Sequence, residues 1–482
     1  MPEWHRNGAM TRCSCQDRLR FQAPPRIQSE TTVSAISVEA GKLPPPGSLL
    51  RVLGKAFALA VGIGTTMGGG ILYAPGTIAA LLPNTWLYMA VWVFGGINAL
   101  LGATVFAELG AMIPLSGGPY PFARRALGNY AGFVVGYTQW ILDCAADAAL
   151  LLLIGEYSYV LAPALAGHAA LVAFVTLILL TVLNWHSVRQ GGRIQVITTL
   201  AKTVAFGVVI GAAFLTPHAP VASSTSHLPV PHGIALVTAL LLAMQGVIFA
   251  YDSYYVPIFF GEELLDPGRE IPRAIFRGLA VIIVMYLLLN AAFLWVLPIA
   301  RMANEPFVGG AAAQVMFGGH GDQIIRIIVI VSVLGTINAG VLMTARVLLA
   351  MGRDGLFAHH ATRVNAGGTP TVALLLSTVA TAAFILSRTF GAVLGVIALL
   401  IAVNYLLMFV SLIVLRRREP DTPRPYRAWG YPWTTWAAIL TGVVLIVGVA
   451  LSDQRNGIIA LAILLASYPV YRGTRSLFRR MP

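Results

Sequence analysis

Charge is scarce in this chain. Only 11% of its 482 residues are Asp, Glu, Lys or Arg, while 57% are hydrophobic and the mean hydropathy is +0.78. A soluble domain carries about 25% charged residues, so a water-facing enzyme surface is excluded. Lysine is rarer still, with Lys42, Lys55 and Lys202 standing against 29 arginines. Cysteine is limited to Cys13 and Cys15 in a polar N-terminal stretch and Cys144 inside an apolar run. That supply builds no disulfide framework, and no disulfide-linked subunit is indicated. The first 45 residues lack any apolar run and hold Pro24-Pro25 and Pro44 to Pro46. Residues 1–50 therefore read as a disordered cytoplasmic tail and not as a cleavable signal. There is no intramembrane His/Glu metal pair and no Ser-His arrangement at matching depth. Gly68 to Gly70 lack the Lys-Ser/Thr of a phosphate loop. No metal, cofactor or enzymatic activity is expected.

What the chain has instead is apolar runs of membrane-spanning length, each of about 20 residues. Twelve are legible, at about 56–80, 86–107, 131–161, 169–187, 195–215, 234–258, 277–299, 324–349, 371–388, 391–415, 432–452 and 456–471. The transporter-sized region is thus 51–472, followed by a short C-terminal tail, 473–482. The net charge of +13 would suggest a nucleic-acid partner if it sat on one soluble surface. Mapped onto alternating loops, it behaves otherwise. With both termini inside, only Arg301, Arg326, Arg388 and Arg455 of the 32 basic residues fall outside. Dropping one span would invert every later loop and destroy the asymmetry. The positive-inside rule thus predicts twelve spans in the lipid bilayer of the plasma membrane, both termini cytoplasmic, and no nucleic-acid partner.

Two spans are interrupted. The first carries GIGTTMGGGILYAPG (Gly62 to Gly76) and the sixth FAYDSYYVP (Phe249 to Pro257). A glycine costs a helix interior about 1 kcal/mol, and an aspartate at a span centre costs about 2.5–3.5 kcal/mol. Span 1 starts inside and span 6 starts outside. The breaks therefore sit in the first helices of two oppositely oriented five-helix halves, about 56–215 and 234–415, with helices 11–12 (about 432–471) appended. Inverted repeats with paired broken helices are a secondary-transporter architecture. Glycines used only for helix packing would explain the first segment but not Asp252.

Four motifs then agree in order with one family. Met67 to Pro75 resembles the first-helix pattern I-G-S-G-I-F-x-x-P of the amino acid–polyamine–organocation permease superfamily. Glu108 to Tyr120 resembles its E-L-x-x-x-I-P-x-x-G-G-x-Y loop. Phe249 to Asp252, with Glu262-Glu263 and Asp266 to Ala274, resembles its sixth helix and exit loop. Arg346 to Gly355 resembles its eighth-helix exit. The resemblance spans about residues 50–430. It implies an all-α membrane protein of twelve helices, a 5+5 inverted repeat with helices 1 and 6 unwound at mid-membrane. The implied function is movement of amino acids by alternating access.

An amino acid at mid-membrane needs partners for a carboxylate and an ammonium. A broken helix offers free N–H groups at one new end and free carbonyls at the other. The resemblance carries the carboxylate contact onto Gly69, Gly70 and Ile71, beside Gly68, and the ammonium contact onto the carbonyls of Thr66, Phe249 and Asp252. Phe249 and Tyr251, flanking Ala250, are read either as an aromatic lid or as packing. Gly69 replaces a family serine, so one hydroxyl contact is missing. Ser253 replaces a family glycine.

Lys202 lies in span 5, about a turn or two from its expected cytoplasmic end. It either snorkels to the interface or, as the resemblance implies, sits beside the first-helix break where sodium-driven relatives bind an ion. The second reading makes Lys202 the coupling residue of a sodium-independent transporter, proton-coupled or exchanging. Asp143 and Asp147 share a face of span 3 at mid-membrane depth, whereas Glu156 points away. Facing the site, the pair would favour a cationic substrate; otherwise they pair within the bundle, with Lys202 or hydroxyls. Glu108, Glu262, Glu263 and Arg353 at the cytoplasmic ends are read either as gate ion pairs or as solvated termini. Two further functions stay open: a polyamine or other organic-cation carrier, and a sensor that binds an amino acid without moving it.

Overall fold

Uninterrupted apolar runs of about 20 residues satisfy their backbone without water as helices, because the strands of a closed barrel are only about 9–11 residues long. The computed structural model describes residues 48–68, 70–217, 229–387, 390–452 and 454–478. Most of the expected N-terminal tail, Gly69 and the last four residues lie outside the described residues. The helices are α1 (Lys55–Thr66), α2 (Gly70–Leu81), α3 (Thr85–Met112), α4 (Tyr120–Leu127), α5 (Asn129–Tyr157), α6 (Ala169–His186), α7 (Val188–Leu215) and α8 (Ile234–Tyr251). They continue with α9 (Pro267–Val296), α10 (Ile299–Met302), α11 (Val308–Phe317), α12 (Gly321–Arg353), α13 (Thr371–Ser387), α14 (Phe390–Arg418), α15 (Trp433–Ser452) and α16 (Gln454–Phe478). Among the described residues there is no strand, only isolated bridges such as Leu53 with Leu264.

Among the described residues, ten helical stretches are long and apolar enough to cross a membrane, and two shorter apolar helices, Thr371–Ser387 and Trp433–Gly448, accompany them. The chain is accordingly an all-helical, multi-pass membrane protein. Its outside is apolar: Leu171, Val175, Ile178 and Val182 of α6 and Ile458, Leu461 and Leu465 of α16 are exposed. The inside holds polar groups that bond to one another. Asn184 donates to Asn338 Oδ1 at 3.0 Å, and Asn338 donates to Gln195 Oε1 at 3.0 Å. In hydrocarbon such groups must find protein partners, so they gather at the centre. There α12 packs against α1, α5 and α7, while α9 packs against α1 and α3.

Several boundaries differ from those read in the sequence. α7 begins at Val188 and not near 195, because Gly191 and Gly192 let it lie against Asn184, Leu53 and Phe57. The sixth span stops at Tyr251, and only a short 3-10 turn, Val256–Phe259, follows. α16 runs to Phe478, past the expected start of a tail at 473. The amphipathic α4 and the α10–α11 connection had no counterpart among the apolar runs.

Candidate functional site

The two interruptions meet. α1 ends at Thr66, Gly68 N–H closes a tight turn onto Thr66 O at 2.7 Å, and α2 restarts at Gly70. α8 ends at Tyr251, after which Ser253 takes φ +73°, a left-handed conformation natural to glycine. Thr65 Oγ1 lies 3.3 Å from Ser253 O, spanning the breaks. Tyr286 of α9 bridges them again, its hydroxyl 2.7 Å from Thr66 O and 3.1 Å from Ala250 O. These bonds answer carbonyls that the interruptions leave without helical partners.

A cavity of 150 Å³ opens where the breaks face α5 and α12. About 10–15 Å³ of such space holds one water, so the cavity suits a small solute. Of the residues singled out in the sequence, Thr66, Gly68, Gly70, Phe249, Ala250, Asp252, Asp143 and Asp147 line it. Phe249 is 42% exposed, as a lid side chain at a cavity mouth should be. Tyr251 is buried against Trp92 and Tyr286, with ring centroids 6.1 and 5.1 Å away, the arrangement of the packing alternative. Ile71 is fully buried and outside the lining. Thr66 O receives both the Gly68 amide and the Tyr286 hydroxyl, and Phe249 O receives the Asp252 amide at 3.3 Å. Two of the three carbonyls expected for an ammonium are thus already engaged. Gln139, Tyr255, Thr336 and Gly340 also line the cavity, and no motif pointed to them. They come from the faces of α5 and α12 and the turn after α8, which converge only through packing.

Lys202 does not snorkel. It lies fourteen residues into α7, about 21 Å from the helix start, and is fully buried. Its ammonium donates to Gly64 O and Ser332 O at 2.6 Å each, with Thr336 Oγ1 at 3.2 Å and Met67 O at 3.3 Å. Ser332 and Thr336 hydroxyls in turn donate to Met67 O at 2.9 Å and Gly64 O at 3.0 Å. A cation is thereby caged at the carbonyl end of α1, the end its dipole makes negative.

The acids take the other wall. Gln139 Nε2 donates to Asp143 Oδ1 at 2.9 Å, while Asp143 Oδ2 is buried without a partner. Asp147 sits opposite Gly340, where an added Cβ would collide with the carboxylate. Asp252 accepts from Ser253 Oγ at 3.0 Å and from the Tyr405 hydroxyl. Lys202 forms no ion pair with any of these three carboxylates among the described residues. That removes the pairing with Lys202 considered for α5 and leaves one cavity with three acids.

At the basic end of the bundle, the acids read either as gate ion pairs or as solvated termini are ion-paired. Arg346 grips Glu263 with two bonds of 2.9 and 3.1 Å, both side chains fully buried. Arg353 holds Glu262 at 2.8 Å, and Arg124 holds Asp354 at 2.7 Å. Glu108 takes Arg416, Arg424 and the Ala428 amide. Tyr120 donates to Asp354 at 2.8 Å. Burial first, and the Asp354 charge second, push its phenol above the ordinary range, so it remains a neutral donor.

The order of motifs in the sequence agrees with comparison to known proteins. The model of the family described as "Amino acid permease" matches residues 53–467. The chain belongs to the amino acid permease family. This permease is 28% identical over 438 residues to the serine/threonine exchanger SteT of Bacillus subtilis (strain 168), covering 89% of this chain and 97% of that one. It is 29% identical to the human large neutral amino acids transporter small subunit 2, over 82% of this chain and 75% of the relative. Against the mouse b(0,+)-type amino acid transporter 1 the figure is 26%, over 79% of each. The superfamily resemblance carried by the four motifs is therefore borne out, and the protein is an amino acid permease.

Proposed function

We propose that this permease carries a small amino acid across the plasma membrane by alternating access around the cavity between α1–α2 and α8. The cavity lined by both helix breaks carries this reading. In it, twelve spans form a 5+5 inverted repeat plus α15–α16, with both termini cytoplasmic and the basic end facing the cytoplasm. The substrate carboxylate takes the amides of Gly70 and Ile71 in the first turn of α2, together with that of Gly69, which lies outside the described residues. With Thr66 O and Phe249 O engaged, the ammonium takes the Asp252 main-chain oxygen and its carboxylate. Phe249 closes the mouth.

Lys202 is the coupling residue in this proposal. Its ammonium fills, at the break, the place a sodium ion would occupy among carbonyl and hydroxyl oxygens. Transport is then sodium-independent, by proton coupling or exchange; the exchange named for the Bacillus relative favours the second.

A second reading, a carrier of dibasic amino acids or polyamines, is favoured by Asp143 and Asp147 on the cavity wall, because three acids without a basic partner attract a cation. Uptake into proteoliposomes of neutral, cationic and anionic amino acids and putrescine distinguishes these outcomes, run with and without sodium, a pH gradient and internal amino acid. Neutral amino acid uptake that needs internal amino acid and ignores sodium is expected. A strict sodium requirement would overturn the role of Lys202. Cation uptake abolished by D143N and D147N would establish the second reading. Binding without uptake of any solute would leave a sensor.

A further inference from the structure

Beside the start of α1 lies an open cleft of 520 Å³ that the transport reading does not use. Val52, Leu53 and Phe57 form one wall, and the first turns of α7 form the other. Arg189 and Arg193, spaced i,i+4 on α7, both line it and are both exposed. Neither has an ion pair or hydrogen bond among the described residues. Much of the basic end is different: Arg124, Arg125, Arg346, Arg353, Arg416 and Arg424 all hold carboxylates. From the cleft, α7 continues as an exposed apolar stripe, Ile197, Leu200, Val204 and Val208. Its spacing of three and four keeps one helix face, about 17 Å long. Two free guanidiniums thus stand at the head of a strip shaped to take a hydrocarbon chain.

We propose that this cleft binds an acidic glycerophospholipid, its phosphate on Arg189 and Arg193 and one acyl chain along the α7 stripe. A free anion uses only the head of the site, and a zwitterionic lipid brings its own cation to a doubly positive pair. Basic pockets between helices at the cytoplasmic surface select anionic headgroups on this principle. Arginine forks also suit phosphate geometry. The site has a mechanical consequence. Gly192 lets α7 lie on Leu53 and Phe57, where an added Cβ would stand 3.0 and 3.3 Å from their side chains. A lipid seated there touches the segment leading into α1 and braces it against α7. Binding requires only that the chain sits in a membrane, whereas the effect on transport rests on alternating access around α1.

Native mass spectrometry of the full chain, titrated with phosphatidylglycerol, phosphatidylcholine and inorganic phosphate, tests the site. Retention of phosphatidylglycerol over phosphatidylcholine is expected. The double variant R189Q/R193Q should hold phosphatidylglycerol about thirtyfold more weakly, roughly fivefold per arginine. R189K/R193K should retain the preference, and R417Q, at another exposed arginine, should behave as wild type. Equal retention of both lipids by the wild-type chain, or unchanged retention in R189Q/R193Q, would overturn the proposal. Displacement of the lipid by millimolar phosphate would equally overturn it, reducing the site to an anion site. In proteoliposomes, added phosphatidylglycerol should accelerate exchange by wild type and not by R189Q/R193Q. Lipid binding without that acceleration sinks only the bracing of α1, and loss of all transport in every lipid sinks only the transport reading.

Discussion

Ser253 shows how much one residue of the site can carry. It is the only non-glycine at positive φ among the described residues, and its hydroxyl bonds Asp252. Such a conformation costs about 1–3 kcal/mol, and the bond to a carboxylate returns about 1.5–3 kcal/mol. S253G removes both and should leave thermal stability nearly unchanged. S253A keeps the strain without the bond and should be less stable than S253G by about 1 kcal/mol or more, read by thermal unfolding in detergent. The chain's departure from the family's glycine was visible in the sequence. That the serine would secure Asp252 was not, because the bond depends on the turn after α8. Lys202 is the second case. K202A would remove the ammonium's bonds to Gly64 O and Ser332 O, each worth about 1.5–3 kcal/mol, leaving the Thr336 hydroxyl on Gly64 O at 3.0 Å. The variant should melt earlier than wild type and be partly rescued by sodium but not by choline. Equal melting in both salts would remove the ion-replacement role.

At the scale of elements, two contacts set the cavity wall and the inner end. α12 approaches α5 at Gly340, leaving no room for a Cβ beside Asp147. G340A should displace that carboxylate, lower uptake at least tenfold and leave expression and melting close to wild type. Uptake equal to wild type would mean that Asp147 does not border the substrate. The Arg346–Glu263 pair joins the loop before α9 to α12 in full burial. Removing one partner leaves a lone buried charge, so R346M should destabilise by about 3–5 kcal/mol, and R346M/E263M should recover most of it. The helices themselves were legible, because a run of about 20 apolar residues has no alternative in lipid. The start of α7 was not: Val188 to Arg193 is polar and glycine-bearing, and its helicity comes from packing against Leu53, Phe57 and Asn184.

For the whole molecule, charge and hydropathy act together. The basic residues cluster on alternate loops, which predicts both termini in the cytoplasm. In a background free of native cysteines, Arg363→Cys and Arg417→Cys should react with an impermeant thiol reagent only in inside-out vesicles, and Arg301→Cys only in whole cells. Labelling of all three from one side would overturn the topology. That the chain is helical, lies in a membrane, is interrupted twice and belongs among amino acid permeases could be read from hydrophobic length, glycine runs and motif order, because these are properties of the linear chain. Packing was needed to show that Lys202 faces the α1 carbonyls and not the interface, that Tyr251 is buried against Trp92 and Tyr286, and that Asp143, Asp147 and Asp252 share one cavity. The reason is physical. A residue's depth follows from its position along a helix, but the direction it faces follows from which helices pack beside it, and those neighbours lie up to hundreds of residues away.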